Sequence, residues 1–423
     1  MAQRNAITLD IRGGAPRASV TSTRLLSLDA YRGFIMLAMA SAGFGIPAVA
    51  KKLPDSWWSV VGSQLEHAPW VGCTLWDLIQ PAFMFMVGVA VVYSYAKRQD
   101  RGDSWLAILR HALGRAVMLV ALGVFLTSLN AKQTTFQFCN VLAQIGLGYL
   151  VVVLLRARGP AVQGAVALAI LGGYWYLFYR YPAPEIGPGF DYARYGLPND
   201  WPLLTGIQAH WNPNMNYATH FDQWFLNLFP TASPFVFRDG AAGYQTLNFV
   251  PSIATMLFGL MAGEWLRSSR APRAKLSGLL IAGAVLLAAG VLLGLTVCPI
   301  VKRIWTPSWT LFSGAWVVWM LAGFYALIDV AGYRRWTFPL VVVGMNSLAM
   351  YLMSQLLRSW TWSMLQIHLG WIVGRTSVQR VLMWLFGPDG FPVVYMPIVK
   401  AASVLAVFWC VCWVLYRRQV RPR

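Results

Sequence analysis

Apolar residues along this chain do not alternate and do not mark one face of a helix. They come in long runs separated by short polar punctuation. Runs of about the length needed to cross a bilayer core fall at 33–50, 73–96, 112–129, 139–155, 161–180, 246–266, 276–298, 309–330, 337–357 and 393–416. The pattern predicts an all-α, polytopic bundle of about ten transmembrane helices. The amphipathic piece at 360–386 either lies at the membrane surface or re-enters it, and would bring the number to eleven. The expected organisation is a polar tail at 1–26, one transmembrane domain at 27–416 interrupted by a long loop at 181–245, and a basic tail at 417–423.

Composition agrees with lipid as the solvent. The 423 residues are 57% hydrophobic and 12% charged, where soluble domains carry about 25% charged residues. A net charge of +19 suits a nucleic-acid binder, but basic loops on the cytoplasmic face of a membrane protein explain it better. With the N-terminus inside, every short inner segment is basic and the inner segments together hold 22 of the 34 Lys and Arg. That bias predicts both termini in the cytoplasm. Residues 1–26 carry arginines and no apolar run, so no cleavable signal peptide is expected. The absence of any Asn-x-Ser/Thr sequon points to a bacterial inner membrane. The 181–245 loop, rich in Trp, Pro, Asn and Asp, is too aromatic for a disordered linker and is expected to be ordered over the outer mouth.

Polar groups inside a membrane need a reason. Asp77 lies near the start of the second run, and His67 stands ten residues earlier where the chain approaches it from outside. An imidazole at the bilayer edge above a buried carboxylate suits acid/base chemistry, while a solvated His and a helix-packing Asp suit the same spacing. Asp29 and Arg32 open the first run from inside. They either cap and pair locally or clamp a phosphorylated ligand. Arg98 and Arg115 flank the inner loop at 97–115 and suit either topology or phosphate binding. Asn346 and Ser347 sit within a run, where amide and hydroxyl groups often join helices, and Gln144 is similar. Cys73, Cys139 and Cys298 near the outer face allow a disulfide, and Cys73 with His67 allows a thiol–imidazole pair. No metal-ligand spacing occurs, and no metal is expected.

Several blocks together carry a resemblance. SLDAYRGFIMLAM at 27–39, EHAPWVGCTLWDLIQPAFMFMVG at 66–88, FQFCNVLAQIGLGYL at 136–150, LNFVPSIATMLFGLMAGEWLR at 247–267, CPIVKRIWTPSWTL at 298–311 and PLVVVGMNSLAMYL at 339–352 follow one another in order. This set resembles the heparan-α-glucosaminide N-acetyltransferase family of transmembrane acyltransferases, over most of the chain from about 25 to 357. The resemblance implies transfer of acetyl from cytosolic acetyl-CoA to an amino sugar or other glycan across the membrane. It places the family's histidine on His67, its helix carboxylate on Asp77, and the inner pattern on Asp29 and Arg32. Trp70, Thr74, Asn346, Ser347 and Trp305 fall in the same blocks and are expected near the substrate, with Thr74, Asn346 or an indole as candidate oxyanion donors. The family's Asn shortly before the histidine has no counterpart in this chain between Gly33 and Glu66. Membrane lipids are expected partners, nucleic acid is not, and a homodimer is left open. The different class that fits the composition is a transporter or flippase for a lipid-linked sugar or small anion. That reading calls for internal repeats and midplane charges, and no repeat is found.

Overall fold

A computed structural model describes residues 25–237, 243–373 and 392–418. All but the innermost residues of the expected tails, Asp239 and residues 374–386 of the ambiguous 360–386 piece lie outside the described residues. What is described is helical, with no strand; its single β-bridge joins Val71 to Val301.

The helices are α1 (Leu26–Ser41), α2 (Ile46–Ala50), α3 (Trp57–Gln64), α4 (Ile79–Gln99), α5 (Trp105–Thr127), α6 (Val141–Leu155), α7 (Pro160–Arg180), α8 (Tyr217–Phe225), α9 (Phe249–Arg267), α10 (Pro272–Thr296), α11 (Pro307–Tyr325), α12 (Phe338–Met345), α13 (Ser347–Leu356), α14 (Arg358–Val373) and α15 (Met396–Arg417). Seven are long and apolar enough to cross a membrane, and two bent pairs raise the number to nine. The fifteen-residue apolar helix α6 is the counterpart of the remaining run, at 139–155. The protein is thus a polytopic helical membrane protein, and each of the ten apolar runs finds a helix or a bent helix pair.

The two bends leave no mark in the hydrophobic pattern. α1 turns by 49° into the next helical stretch, and the pair α12–α13 turns by 69°. At the first bend, Ala42, Gly43, Phe44 and Gly45 all have positive φ, from 51° to 72°. A left-handed conformation costs a non-glycine residue about 1–2 kcal/mol, so Ala42 and Phe44 are held there by their surroundings. At the second bend Asn346 lies between the half-helices, and its Nδ2 donates to the carbonyls of Val342 at 3.0 Å and Cys412 at 3.3 Å. The side chain thus ties the break to α15.

The core is a tight crossing of α4 with α9 and of α1 with α12. Gly33 and Gly344 face the opposing backbones at Leu340 and Asp29, so closely that any side chain would collide with a carbonyl. This is the close approach that small residues permit between membrane helices. A second, smaller core caps one end of the bundle. There Trp70, Tyr174, Phe178, Trp211, Met215, Val301 and Ile304 pack together, joining the described part of the 181–245 segment to the loops before α4 and α11. The segment therefore carries helix α8 and a hydrophobic core of its own.

The bundle has two chemically distinct ends. His67 lies at one end and Asp29 at the other, separated by the length of α4, roughly 30 Å at 1.5 Å per residue. The basic bias predicts that the Asp29 end is cytoplasmic. Reporter fusions after Arg423 and inside 181–237 are expected to report cytoplasm and exterior respectively; a cytoplasmic signal from the second fusion contradicts this orientation.

Candidate active site

The chain from Glu66 to Trp76 wraps around a single carboxylate. Asp77 sits in a 3₁₀ turn leading into α4 and is 1% exposed. Its Oδ2 accepts from the backbone N–H groups of Ala68 and Thr74, both at 3.1 Å, and lies 3.1 Å from Thr74 Oγ1. Thr74 Oγ1 donates to the Glu66 carbonyl at 2.6 Å. Pro69 and Gly72 turn the loop; at φ 114° only glycine is at ease. This wrapping brings His67 back over the helix, and His67 Nδ1 lies 2.7 Å from Asp77 Oδ1.

A second loop completes the site from the far side of the sequence. Gly72 N–H donates to the Ile300 carbonyl at 2.9 Å, next to the Val71–Val301 bridge. Thr306 holds this loop in a tight turn. Its Oγ1 accepts from Val301 N–H at 3.0 Å and donates to the Pro299 carbonyl at 2.8 Å, just before Pro307 starts α11. The turn directs Lys302 inward. Its Nζ lies 3.1 Å from Asp77 Oδ1 and 3.1 Å from His67 Nδ1, with the side chain 5% exposed. Arg303 turns the other way and donates from Nε to the Pro69 carbonyl at 3.0 Å. The ring of Tyr244 covers the group, 5.5 Å from Lys302 Nζ, 5.7 Å from the Arg303 guanidinium carbon, and edge-on to His67.

These contacts assign the imidazole tautomer. An ionised carboxylate only accepts hydrogen bonds, and an ammonium only donates. Lys302 Nζ lies 3.1 Å from both Asp77 Oδ1 and His67 Nδ1, so the shorter 2.7 Å contact decides: Nδ1 is assigned the proton that it donates to Oδ1, Lys302 donates to the same oxygen, and Nε2 is left as the imidazole's lone-pair nitrogen. No hydrogen bond from the described residues engages Nε2, and the His67 side chain is 36% exposed. Burial pulls the imidazole below its ordinary 6.5; the Asp77 bond opposes this, and the Lys302 and Arg303 charges add to it. The site thus presents a neutral, oriented and accessible imidazole at neutral pH.

The other expected site residues divide. Trp70 is buried, and its indole N–H donates to the Trp211 carbonyl at 3.0 Å, joining the loop to the 181–245 segment. Thr74 is committed to Glu66 and Asp77. Trp305 is fully buried with φ 47°, and its indole N–H has no partner among the described residues. Asn346 and Ser347 stand at the α12–α13 break, away from His67. Gln144 accepts from Gln80 at 3.1 Å and donates to the Cys139 carbonyl at 2.9 Å, a link between helices. All five cysteines are free thiols, so the outer disulfide is not formed. Burial, then the Asp77 charge, pushes the Cys73 thiol up to about 12, which leaves almost no thiolate for a Cys–His pair. Lys302, Arg303 and Tyr244 are the residues of this site that sequence reasoning missed.

At the opposite end, Asp29 lies in the first turn of α1 and Arg32 3.7 Å from it, with Arg32 Nη1 donating to the Gly344 carbonyl at 3.4 Å. Arg98 pairs with Asp103 at 3.1 Å, and Arg115 lies over the Tyr149 ring. Beside this second pair is a cleft of about 500 Å³ lined by Gln99, Trp105, Arg156 and Arg158. The Arg156 guanidinium lies over the rings of Tyr95 and Trp105, and its buried Nε has no hydrogen-bond partner among the described residues. The carbonyls of Leu155 and Arg158, which a basic side chain often caps, are taken by Gln163. Cations, an aromatic face and an orphaned donor fit a phosphorylated nucleotide.

No family model matches the chain. Over 389 residues it is 23% identical to the heparan-alpha-glucosaminide N-acetyltransferase of Homo sapiens, covering 81% of this chain and 54% of that protein. Over 141 residues it is 26% identical to the protein of the same name from Mus musculus, covering 32% of this chain and 20% of that protein. The chain spans about half the length of the human protein. Together with the ordered motifs, these alignments make the chain a relative of the heparan-α-glucosaminide N-acetyltransferases.

Proposed function

We propose that the protein is a transmembrane acetyltransferase that binds the nucleotide of acetyl-CoA at the Asp29 end, with the pantetheine arm extended between the helices so that its thioester meets His67, and that it delivers the acetyl group to an amino sugar or other glycan at the His67 end. The observation that carries this reading is the oriented imidazole of His67, with Nδ1 fixed by the buried Asp77–Lys302 pair and Nε2 exposed.

Acyl transfer from a thioester needs a group that accepts either the acceptor's proton or the acyl group itself. His67 Nε2 can do both. As a base it removes the proton of the attacking amine or hydroxyl while the C–S bond breaks, and the proton then passes to the departing thiolate. As a nucleophile it attacks the thioester carbonyl and releases the thiolate; the acceptor next takes the acetyl from the imidazole and loses its proton. In either route Asp77 holds the ring and stabilises its cationic form. Lys302 opposes that charge, which keeps the resting ring neutral and favours its return to that state. Arg303 and Tyr244 border the imidazole and place a positive charge and a phenol beside the developing oxyanion. When bound, acetyl-CoA supplies an activated acyl group, and Trp105, Arg156 and Arg158, with Arg98 and Arg115 beside them, fit its adenine and phosphates. Asp29 and Arg32 form a second candidate contact for the coenzyme.

Purified protein supplied with acetyl-labelled acetyl-CoA and a panel of amino and hydroxyl sugars is expected to label an acceptor. Label retained on His67 without acceptor identifies the nucleophilic route. Acceptor movement across vesicles without label transfer is the result that favours a transporter.

The pH dependence has a fixed sign. Only neutral His67 is active, so the rate rises with pH through a pKa lowered from the ordinary 6.5 of an imidazole, chiefly by burial. Lys302→Met removes a charge that lowers this pKa and leaves Asp77, which raises it, uncompensated. Its acid limb is therefore expected to move to higher pH. An unmoved limb in a folded, active variant means that Lys302 does not tune the imidazole.

A further inference from the structure

A second basic site lies on the lipid-facing wall at the His67 end. The left-handed turn at Ala42–Gly45 splits α1 from α2 and opens a cleft of about 210 Å³ against α14 and α15, lined by Ala40, Ala42, Gly45, Arg358, Pro397 and Lys400. Its polar side chains are both cations, and none of the lining residues is acidic. Arg358 Nη2 donates to the Ala40 carbonyl at 2.7 Å, which lies at the broken end of α1, so one edge of the guanidinium is fixed in place. Lys400 is exposed and stands one turn into α15, about 6 Å along its axis.

What can reach this pair is decided by where the cleft opens. Only 17% of the residues in the apolar stretch of α15 are fully buried among the described residues, so much of this helix has surface left for lipid. A hydrophilic ion does not arrive through hydrocarbon, whereas a lipid headgroup lies at this depth by construction. Two cations at this end of the bundle also run against the basic bias seen at the other. Snorkelling to the headgroup region explains Lys400 alone, but it does not explain a clamped arginine beside it in a shared cleft. The cleft also communicates with the active-site loop: a side chain on Gly43 would touch Leu65, two residues before His67, and Lys51 at the end of α2 pairs with Glu66 at 2.7 Å.

We propose that Arg358 and Lys400 bind the phosphate of an anionic lipid in the leaflet at the His67 end, and that the acceptor sugar is presented to His67 on such a lipid. The second clause rests on the acetyltransferase reading; the first stands without it.

The binding test uses the full-length protein in neutral detergent with fluorescent phosphatidylglycerol and phosphatidylcholine. Arg358→Gln/Lys400→Gln is expected to weaken phosphatidylglycerol binding tenfold or more, on the order expected for two interfacial cations, with phosphatidylcholine equally weak throughout. Should loss of the Arg358 contact prevent folding, Lys400→Gln alone, on an exposed side chain, is expected to weaken binding about fivefold. Unchanged phosphatidylglycerol binding in the folded variants overturns the site. Displacement by inorganic phosphate at comparable concentration overturns the lipid as its source. A shift from dimer to monomer in the double variant makes the cleft an interface between copies instead. For turnover, the KM of a lipid-phosphate-linked amino sugar is expected to rise about tenfold relative to that of the free sugar in the same variants. An equal effect on both overturns the presentation clause, whereas no transfer by the wild type to any acceptor counts against the acetyltransferase reading and leaves the binding result in force.

Discussion

His67→Ala is expected to lower acetyl transfer by at least 10²–10⁴-fold, the usual contribution of a general base, and by more where the imidazole also carries the acyl group. The protein is expected to fold and to bind acetyl-CoA as before, because His67 is partly exposed and its polar contacts, to Asp77 and Lys302, are confined to Nδ1. The check is single-turnover transfer from labelled acetyl-CoA, with thermal unfolding and coenzyme binding measured on the same preparation. Added imidazole is expected to restore some turnover through the vacated space. A folded, coenzyme-binding variant that kept more than about a tenth of wild-type turnover, against the loss expected of a base, would falsify the role assigned to His67.

Asp77→Asn is expected to damage both activity and stability. An amide presents either N–H or oxygen towards His67 Nδ1, so the tautomer is no longer fixed; loss of an orienting carboxylate is worth on the order of 10⁴-fold in a comparable triad. The same change strands Lys302, whose ammonium is 5% exposed and 3.1 Å from the carboxylate. Removing one partner of a buried ion pair costs about 3–5 kcal/mol. The two effects separate in the double variant Asp77→Asn/Lys302→Met. There the unpaired charge is gone, so stability is expected to recover by most of that amount while activity stays low. Thermal unfolding of the single and double variants in one detergent reads the difference, and equal unfolding temperatures mean that the stranded ammonium is not the source of the instability.

Much of this architecture is legible in the sequence because bilayer thickness imposes a length on apolar runs. All ten runs correspond to helices, and the His67–Asp77 pair is readable because both residues lie in one short block of specific pattern. Lys302 is not readable in the same way. It stands 225 residues from Asp77 in sequence, and such a contact leaves no periodic trace. The available signal is a Lys–Arg pair between Val301 and Ile304 at the end of the bundle where the charge bias disfavours cations. Trp70, Thr74 and Asn346 stand out in the sequence as polar groups needing a purpose. The structure gives each of them a carbonyl or carboxylate to satisfy, because backbone left unpaired at a loop or helix break must find a donor. The bends at Ala42–Gly45 and Asn346 are invisible to hydropathy, which carries no information on the direction of a helix axis.

The late arrival of Lys302 in the chain also bears on biogenesis. The imidazole and the carboxylate enter the membrane with the first helices, whereas the ammonium that completes the site follows the tenth helix. A chain released from the ribosome before α10 has been inserted therefore holds a buried carboxylate that has its imidazole and backbone donors but lacks its ammonium partner. Such a chain is expected to be less stable than the complete protein, which would make incomplete copies good substrates for membrane proteolysis.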